Sequence, residues 1–473
     1  MLEYAVVGSG VGGCSIAAYL DAKGYKTVLF EKDSNLGGCS STFTRNSYMY
    51  NTGATTLAGY KDGHIVKSLF DSIGYKPKLL ATDPAIVIIQ NGKTSPRYRD
   101  LEKFLTVVEQ NYPHPKNREF WTLVYELNKK FYSIDGYYYS NSSFLKKALS
   151  LLSYTPIFLK FFRYFSVNAK TFLDHFFGGI DKEYLDFLEA QIMIVAQAKS
   201  SEINFFTCAL ALGYTFNETH YVYGGMGALF DGMSADMKDV RVNSEIKKIE
   251  KKEGYYKLYT KDEVIEAKNV ILNSTVYASA KLFDESSIQN YYKKYEKLDN
   301  RQSSFMLYVT IKSDVEFAHH YQIIQDEKFE GSISNALFVS FSDKDDEQIA
   351  PKGYYSITAS IHTDVRFWQK DADYKAKKER LKNLLLESLM KNLDIQTSQI
   401  IDCISATPST FAKYISRSQL GGNAITMKNF LPFLPSNDTP IKGLYNVGDT
   451  VYAAQGWPGV MLGVNNLKKL LHV

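Results

Sequence analysis

The first 31 residues constrain this chain more than any other feature. Residues 3–8 (EYAVVG) form a short apolar, β-branched run that reads as a buried strand. Gly8-Ser9-Gly10-Val11-Gly12-Gly13 follows, a G-x-G-x-x-G at a strand-to-helix turn. Residues 12–23 have helical composition, Gly24 ends the helix, and residues 26–31 (KTVLFE) read as a second strand closing on Glu31. A βαβ unit of this kind binds a dinucleotide. Gly8 permits the tight turn, Gly10 lets the backbone approach a pyrophosphate, and Gly13 lets helix and strand pack closely. The helix start, with Val11 and Gly12, supplies N–H groups and a partial positive charge to the phosphates. Glu31 lies 18 residues past Gly13, where an acid accepts hydrogen bonds from a ribose diol. That acid argues against a 2′-phosphate, hence against NADP, and leaves NAD and FAD open.

A second glycine pair follows Glu31 and Lys32, in Leu36-Gly37-Gly38-Cys39-Ser40. It suggests another close backbone approach to a diphosphate or to the ring beyond it. NAD domains do not need this.

At 473 residues the chain exceeds the usual single domain. From about Asp71 to Tyr214 helical patterns dominate: Leu101–Gln110, Asn117–Tyr132, Ser143–Leu152, Pro156–Phe165, Lys182–Ala198 and Glu202–Leu212. Residues 240–273 then alternate as three short strands. Further strands are expected at Ser304–Ile311, Gln322–Gln325, Ala336–Phe341, Tyr354–His362 and Ile400–Ser405, interrupted by a helix over Lys375–Asn392. The C-terminal stretch reads strand, loop, helix. Lys+Arg is 55 against Asp+Glu 51, so no global field favours nucleic acid. Cys14, Cys39, Cys208 and Cys403 are scattered without C-x-x-C spacing, which indicates neither a disulfide framework nor a metal site. G-x-S-x-G and H-E-x-x-H are absent, so hydrolase chemistry has no support.

Gly8–Gly13, Glu31, Leu36-Gly37-Gly38 and Tyr50-Asn51-Thr52-Gly53 together resemble the start of the phytoene desaturase, carotenoid isomerase and retinol saturase group of flavoproteins. The likeness continues at residues 223–229 (YGGMGAL), 242–246 (VNSEI), 406–411 (ATPSTF), 443–450 (GLYNVGDT) and 455–460 (QGWPGV). The group is similar in fold to the flavin amine oxidases. The resemblance implies an α/β architecture with FAD as cofactor. A Rossmann-type FAD-binding domain with a parallel sheet would be assembled from residues 1–70, 215–285 and 416–473. An inserted α+β substrate domain with a mixed sheet and a helical, membrane-facing part would use 71–214 and 286–415.

Carried over residue by residue, Gly8, Gly10, Gly13 and Glu31 would hold the ADP half of FAD. Lys32, Gly37, Gly38, Cys39 and Ser40 would lie along it. Ile246 would meet the adenine through its backbone. Gly448 and Asp449 would reach the ribityl or phosphate oxygens. Pro458, Gly459, Val460 and Met461 would open a helix aimed at the flavin pyrimidine edge, where a helix N-terminus stabilises the reduced ring. Many desaturases of the group carry Arg where this chain has Cys39. Cys39 reads as a small packing residue, with a reactive thiol as the other reading. The implied activity is desaturation, saturation or redox-dependent isomerisation of C–C double bonds in a long lipophilic polyene or isoprenoid. A flavin amine oxidase and a non-enzymatic prenyl-binding protein like a Rab GDP dissociation inhibitor are the alternatives. No second G-x-G-x-x-G is present, so a quinone, oxygen or a protein is the expected electron partner. No catalytic side chain is assigned. Trp457 could face the substrate or pack.

Aromatic residues make up 14% of the chain, an unusually high share. Residues 136–173 hold eleven of them in 38 positions, with five basic residues and no Asp or Glu. Within this segment Thr155 is expected to cap a helix starting at Pro156. The segment fits an interfacial helix whose rings sink below lipid headgroups while Lys160 and Arg163 meet anionic lipid. A buried substrate-domain helix or a homodimer contact is the competing reading. The surplus of rings is read as a sign of a lipophilic substrate and a membrane-facing entrance. The N-terminus lacks a signal peptide, so the expected location is cytoplasmic, on the inner face of the cytoplasmic membrane. His319-His320 reads as a solvated turn, Asp343–Glu347 as a solvated loop, and Tyr137-Tyr138-Tyr139 as a mixed surface-and-core strand.

Overall fold

The computed structural model describes residues 1–132, 138–430, 433–452 and 455–473. Its first sheet has a parallel core in the order Val240–Arg241, Thr27–Phe30, Leu2–Val7, Val264–Leu272, Leu444–Asn446. Lys248–Lys251 and Tyr256–Tyr259 extend it as an antiparallel pair. The central strands are apolar because they are covered on both faces. Ala5, Val28 and Val270 point into one core with Tyr292, while Val6, Leu29 and Ile271 point into another with Ile16 and Leu20. The opening helix (Val11–Ala22) and the closing helix (Gly456–Leu471) share that second core. Strands from the two ends of the chain and its middle thus meet in one sheet.

The second sheet runs Ile400–Ala406, Gln302–Lys312, Tyr354–Asp364, Ala336–Phe341, His320–Ile324, Val87–Gln90, Lys93–Pro96. The hairpin Val87–Pro96 adds to the expected strands; Asn91 (φ 49°) and Gly92 (φ 75°) supply the two positive φ angles of its tight turn. Strand alternation gives this sheet two faces. Phe305, Leu307 and Val309 pack on Leu381, Leu385 and Leu389 of the helix Tyr374–Leu393. Ser304 and Met306, one position out of phase, face a cavity together with their cross-strand partners His362 and Ser360.

The structure corrects four expectations. Residues 143–165 form one helix, Phe144–Phe165, with Pro156 inside it. Its cap is Ser143, whose hydroxyl accepts from the Lys146 N–H, while the Thr155 hydroxyl donates to the Leu151 carbonyl instead of capping. Proline removes one N–H, but contacts on either side of it, Ser150 with Ser140 and Phe161 with Phe206, hold the helix continuous. Second, much of the aromatic surplus is ordinary core. Phe104, Phe120, Trp121, Tyr184, Phe187 and Phe205 are buried in a cluster built from the helices Leu101–Asn111, Asn117–Tyr132, Lys182–Ala196 and Phe205–Leu212. Third, His320 lies in a strand, buried, and is not a solvated turn. Asp346 also departs from its expected solvated loop: it is buried and accepts from the Tyr221 hydroxyl (2.7 Å) and the Gly224 N–H (2.8 Å). Tyr139 is fully buried, and Tyr137 lies outside the described residues. Among the described residues no helix is long and apolar enough to cross a membrane.

Candidate active site and cofactor cavity

A cavity of about 1520 Å³ runs along the carboxyl ends of the first sheet and under the second. Of the eighteen positions proposed from sequence, sixteen line it; Gly13 and Met461 do not. Gly13 is a packing glycine, since a Cβ there would sit 2.0 Å from the Gly8 carbonyl oxygen. Met461 is 1% exposed and packs in the core between the two helices.

The glycine loop is held by contacts that spacing alone does not reveal. Glu31 accepts from the Ser9 N–H (2.9 Å) and hydroxyl (2.6 Å) through Oε2, and from the Asp33 N–H (3.0 Å) through Oε1. The Ser9 hydroxyl accepts in turn from the Gly37 N–H (3.1 Å), and Gly10 bridges to Gly37. The two glycine pairs therefore form one wall. Ser244 donates its N–H to the Glu31 carbonyl (2.8 Å), which sets Ile246 beside that wall. Asn273, just past the strand Val264–Leu272, comes close to Gly10, Gly12 and Gly448. Its position at a strand carboxyl end is the signal that marks it.

Several helices of the substrate region carry side-chain caps. Asp100, Asn168, Asp181 and Asn204 each cap a helix through their side chains. The opening and closing helices start without a side-chain cap, at Gly10 and Gln455, and both starts line the cavity. Their first N–H groups are thus left for a ligand. Gln455 donates to the Ala196 carbonyl (3.0 Å), and its buried Oε1 has no partner among the described residues. Trp457 packs on Phe70 and Phe230, so its ring belongs chiefly to the core. The close glycine approaches and the two open helix starts fit the phosphates and polar ring edge of a flavin dinucleotide.

Asp449 lines the cavity and is held there by an ion pair. Both its oxygens accept from Arg417, a residue that sequence reasoning passed over (Nη1–Oδ1 3.0 Å, Nη2–Oδ2 3.1 Å). Burial pushes the Cys39 thiol up, against the opposing pull of Arg417 nearby, which supports the packing reading over a reactive thiol. Lys32 reaches away from the loop, donating to the Ser416 hydroxyl (2.6 Å) and the Lys413 carbonyl (3.4 Å).

The far end of the cavity is apolar. Its walls include Leu151, Phe158, Phe206, Leu210, Met427 and Phe430. Thr55 and Thr56 join the cavity to the second sheet: Thr56 shares a hydrogen bond with His320 Nε2 (2.8 Å), His320 Nδ1 with Ser340 (3.0 Å), and Ser340 donates to Thr55 (2.8 Å). Burial lowers the His362 pKa to about 4, so a neutral imidazole faces the cavity.

A family model described as flavin containing amine oxidoreductase matches residues 11–464. Prolycopene isomerase of Daucus carota is 25% identical to this chain, covering 95% of it and 77% of its own length. The 4,4'-diapophytoene desaturase (4,4'-diaponeurosporene-forming) of Staphylococcus haemolyticus is 23% identical over 97% of this chain and 96% of its own. A solved putrescine oxidase has a TM-score of 0.67 at 14% identity, covering 100% and 99% of the two chains, a likeness of fold alone. The carotenoid-enzyme relatives agree with the motifs read above. A match extending from residue 11 to residue 464 takes in the second sheet and every strand of the first but Leu2–Val7, and the chain belongs to the flavin containing amine oxidoreductase family as an FAD-dependent oxidoreductase.

Proposed function

We propose that this chain removes, adds or isomerises C–C double bonds in a long lipophilic polyene or isoprenoid of the carotenoid type. One observation carries the reading: a single cavity joins the glycine loop to a long apolar chamber. At about 1520 Å³ it exceeds the roughly 300–1,000 Å³ of a pocket for one ligand, so it has room for a dinucleotide and a long chain together. FAD, when bound, exchanges a hydride equivalent with substrate carbon. The chain's own residues position and exclude water. In this reading Gly8, Gly10 and Gly12 admit the pyrophosphate, Glu31 takes the ribose, and Ile246 meets the adenine. Pro458–Val460 present a helix start to the flavin. Met306, Phe338 and His362 form the sheet wall over which the substrate lies. Residues 1–70, 215–285 and 416–473 then act as the cofactor-binding unit, and the remainder as the substrate unit. The carotenoid-enzyme names of the relatives that span the chain favour this substrate class over amines.

The substrate enters from a membrane in this reading. Leu151, Phe158, Met427 and Phe430 line the cavity and are solvent-exposed, which supports an opening of the apolar chamber among apolar side chains. Phe144, Leu145, Leu152 and Leu159 continue that exposed face. The protein sits on the cytoplasmic face of the membrane, and a quinone, oxygen or a protein exchanges electrons with the flavin.

Lipid extracts of cells with and without the gene test the substrate class by mass spectrometry. A polyene shifted by two hydrogens supports desaturation or saturation, and a retention shift at equal mass supports isomerisation. No altered polyene, together with hydrogen peroxide released from amines, overturns the reading.

A further inference from the structure

The cation missing at position 39 has a counterpart elsewhere in the chain. Arg417 follows the helix Pro408–Ile415, which ends on Ser416 in the left-handed conformation (φ 56°). The Lys32 bonds to Ser416 and Lys413 tie that turn to the residue after Glu31. From there the guanidinium reaches the wall formed by Cys39 and Asp449. Gly422 packs so tightly on residue 449 that a Cβ would lie 2.2 Å from the Asp449 carbonyl oxygen, and the Asn423 N–H donates to that oxygen (3.2 Å). The pair is thus fixed from both chain segments.

A guanidinium has five N–H donors. Arg417 spends one from Nε on the Gln419 carbonyl (2.7 Å) and one from each Nη on Asp449. Among the described residues no protein acceptor takes the other two. Arg417 and Asp449 are 15% and 20% exposed, and both line the cavity. Burial works against the Arg417 charge, but the Asp449 carboxylate outweighs it, so the guanidinium stays charged. A planar, always-charged fork with two spare donors is suited to phosphate oxygens. Its neighbour Cys39 directly follows Gly38, whose α-carbon region lies against Gly10 of the fingerprint loop.

We infer that Arg417 is a pyrophosphate-binding residue for FAD, held in position by Asp449, and that it does from position 417 what an arginine at position 39 would do. The Asp449 carboxylate then acts through Arg417 and not on the cofactor directly. The inference concerns the cofactor and holds whichever substrate occupies the apolar chamber; a failed lipid assay leaves it standing.

The test measures FAD and ADP binding to the flavin-stripped full chain by calorimetry, with thermal unfolding of each variant as a control. Arg417→Met is expected to raise the FAD dissociation constant at least tenfold and that of ADP by a similar factor. Cys39→Arg in the Arg417→Met background is expected to recover at least a third of that loss on a logarithmic scale. FAD affinity unchanged within threefold overturns the inference. Loss of FAD binding with ADP binding intact also overturns it, because the residue then reads the flavin and not the phosphates. No recovery in the double variant overturns the shared position. Where Arg417→Met fails to fold, Arg417→Lys keeps the charge and removes the fork. A threefold or greater rise in the FAD constant at an unchanged unfolding midpoint supports the inference, and an unchanged constant overturns it.

Discussion

Tyr154 on the surface helix and Tyr452, 298 residues later, share a hydrogen bond between their hydroxyls. Tyr452 is 5% exposed and stacks near Tyr139, so its hydroxyl has little access to water. Tyr154→Phe is therefore expected to destabilise by about 1–3 kcal/mol, the cost of a stranded buried hydroxyl. Tyr154→Phe/Tyr452→Phe should cost less than the sum of the single changes, because the buried Tyr452 hydroxyl that Tyr154→Phe strands is then removed. Urea unfolding of the four proteins measures the cycle; strict additivity would refute the coupling.

Burial holds three imidazoles neutral, with pKa values lowered to about 3 for His320 and about 4 for His64 and His362. All three folded values lie below the unfolded value of about 6.5, so the unfolded chain takes up protons first as pH falls. The stability from these groups is present above about pH 6.5 and declines below it, levelling out near the folded values. His320→Gln should flatten the slope of unfolding free energy against pH by up to one proton, about 1.4 kcal/mol per pH unit. Unfolding series between pH 4.5 and 7.5 read it out, and a variant slope equal to the parent's rejects the assignment.

The exposed face of the helix Phe144–Phe165 predicts two separable effects on membrane binding. Lys160→Glu/Arg163→Glu should lower sedimentation with anionic liposomes at low salt, and the difference should shrink as salt rises. Leu152→Ser/Leu159→Ser, at side chains 67% and 71% exposed, should lower binding to anionic and neutral vesicles alike. Binding that survives both changes leaves the face without a membrane role.

Gly13→Ala forces a Cβ to 2.0 Å from backbone, whereas Gly10→Ala meets the end of the Asn273 side chain at 2.6 Å. Backbone cannot yield as a side chain can. Gly13→Ala is expected to give colourless, unstable protein. Gly10→Ala should keep its fold but lose flavin, since the added methyl stands in the phosphate approach. Flavin absorbance per chain and the unfolding midpoint distinguish the two; matching behaviour would contradict the packing argument.

Local signals in the sequence were legible. The strand, glycine loop, helix and acid of residues 2–31 lie within one continuous stretch, and the second-sheet strand Ala336–Phe341 matches its expected bounds to the residue. What escaped depends on contacts between distant segments. Arg417 carries no periodic or spacing signal that ties it to Asp449, and Ser9 gave no hint that it would clasp Glu31. Thr155-Pro156 has the local chemistry of a helix start, yet packing on both sides overrides it. The rings misled for a related reason: composition counts aromatic side chains without saying which ones other helices cover, and Phe120 and Trp121 are covered completely.

The strand Gln302–Lys312 presents Ser304 and Met306 to the cavity and Phe305 and Leu307 to the helix behind. Each side of the wall is therefore adjustable without disturbing the other. A lineage could reshape its substrate preference by exchanging every second residue of this strand, while the intervening positions preserve the scaffold. Chemistry and stability are written in alternate letters of the same segment.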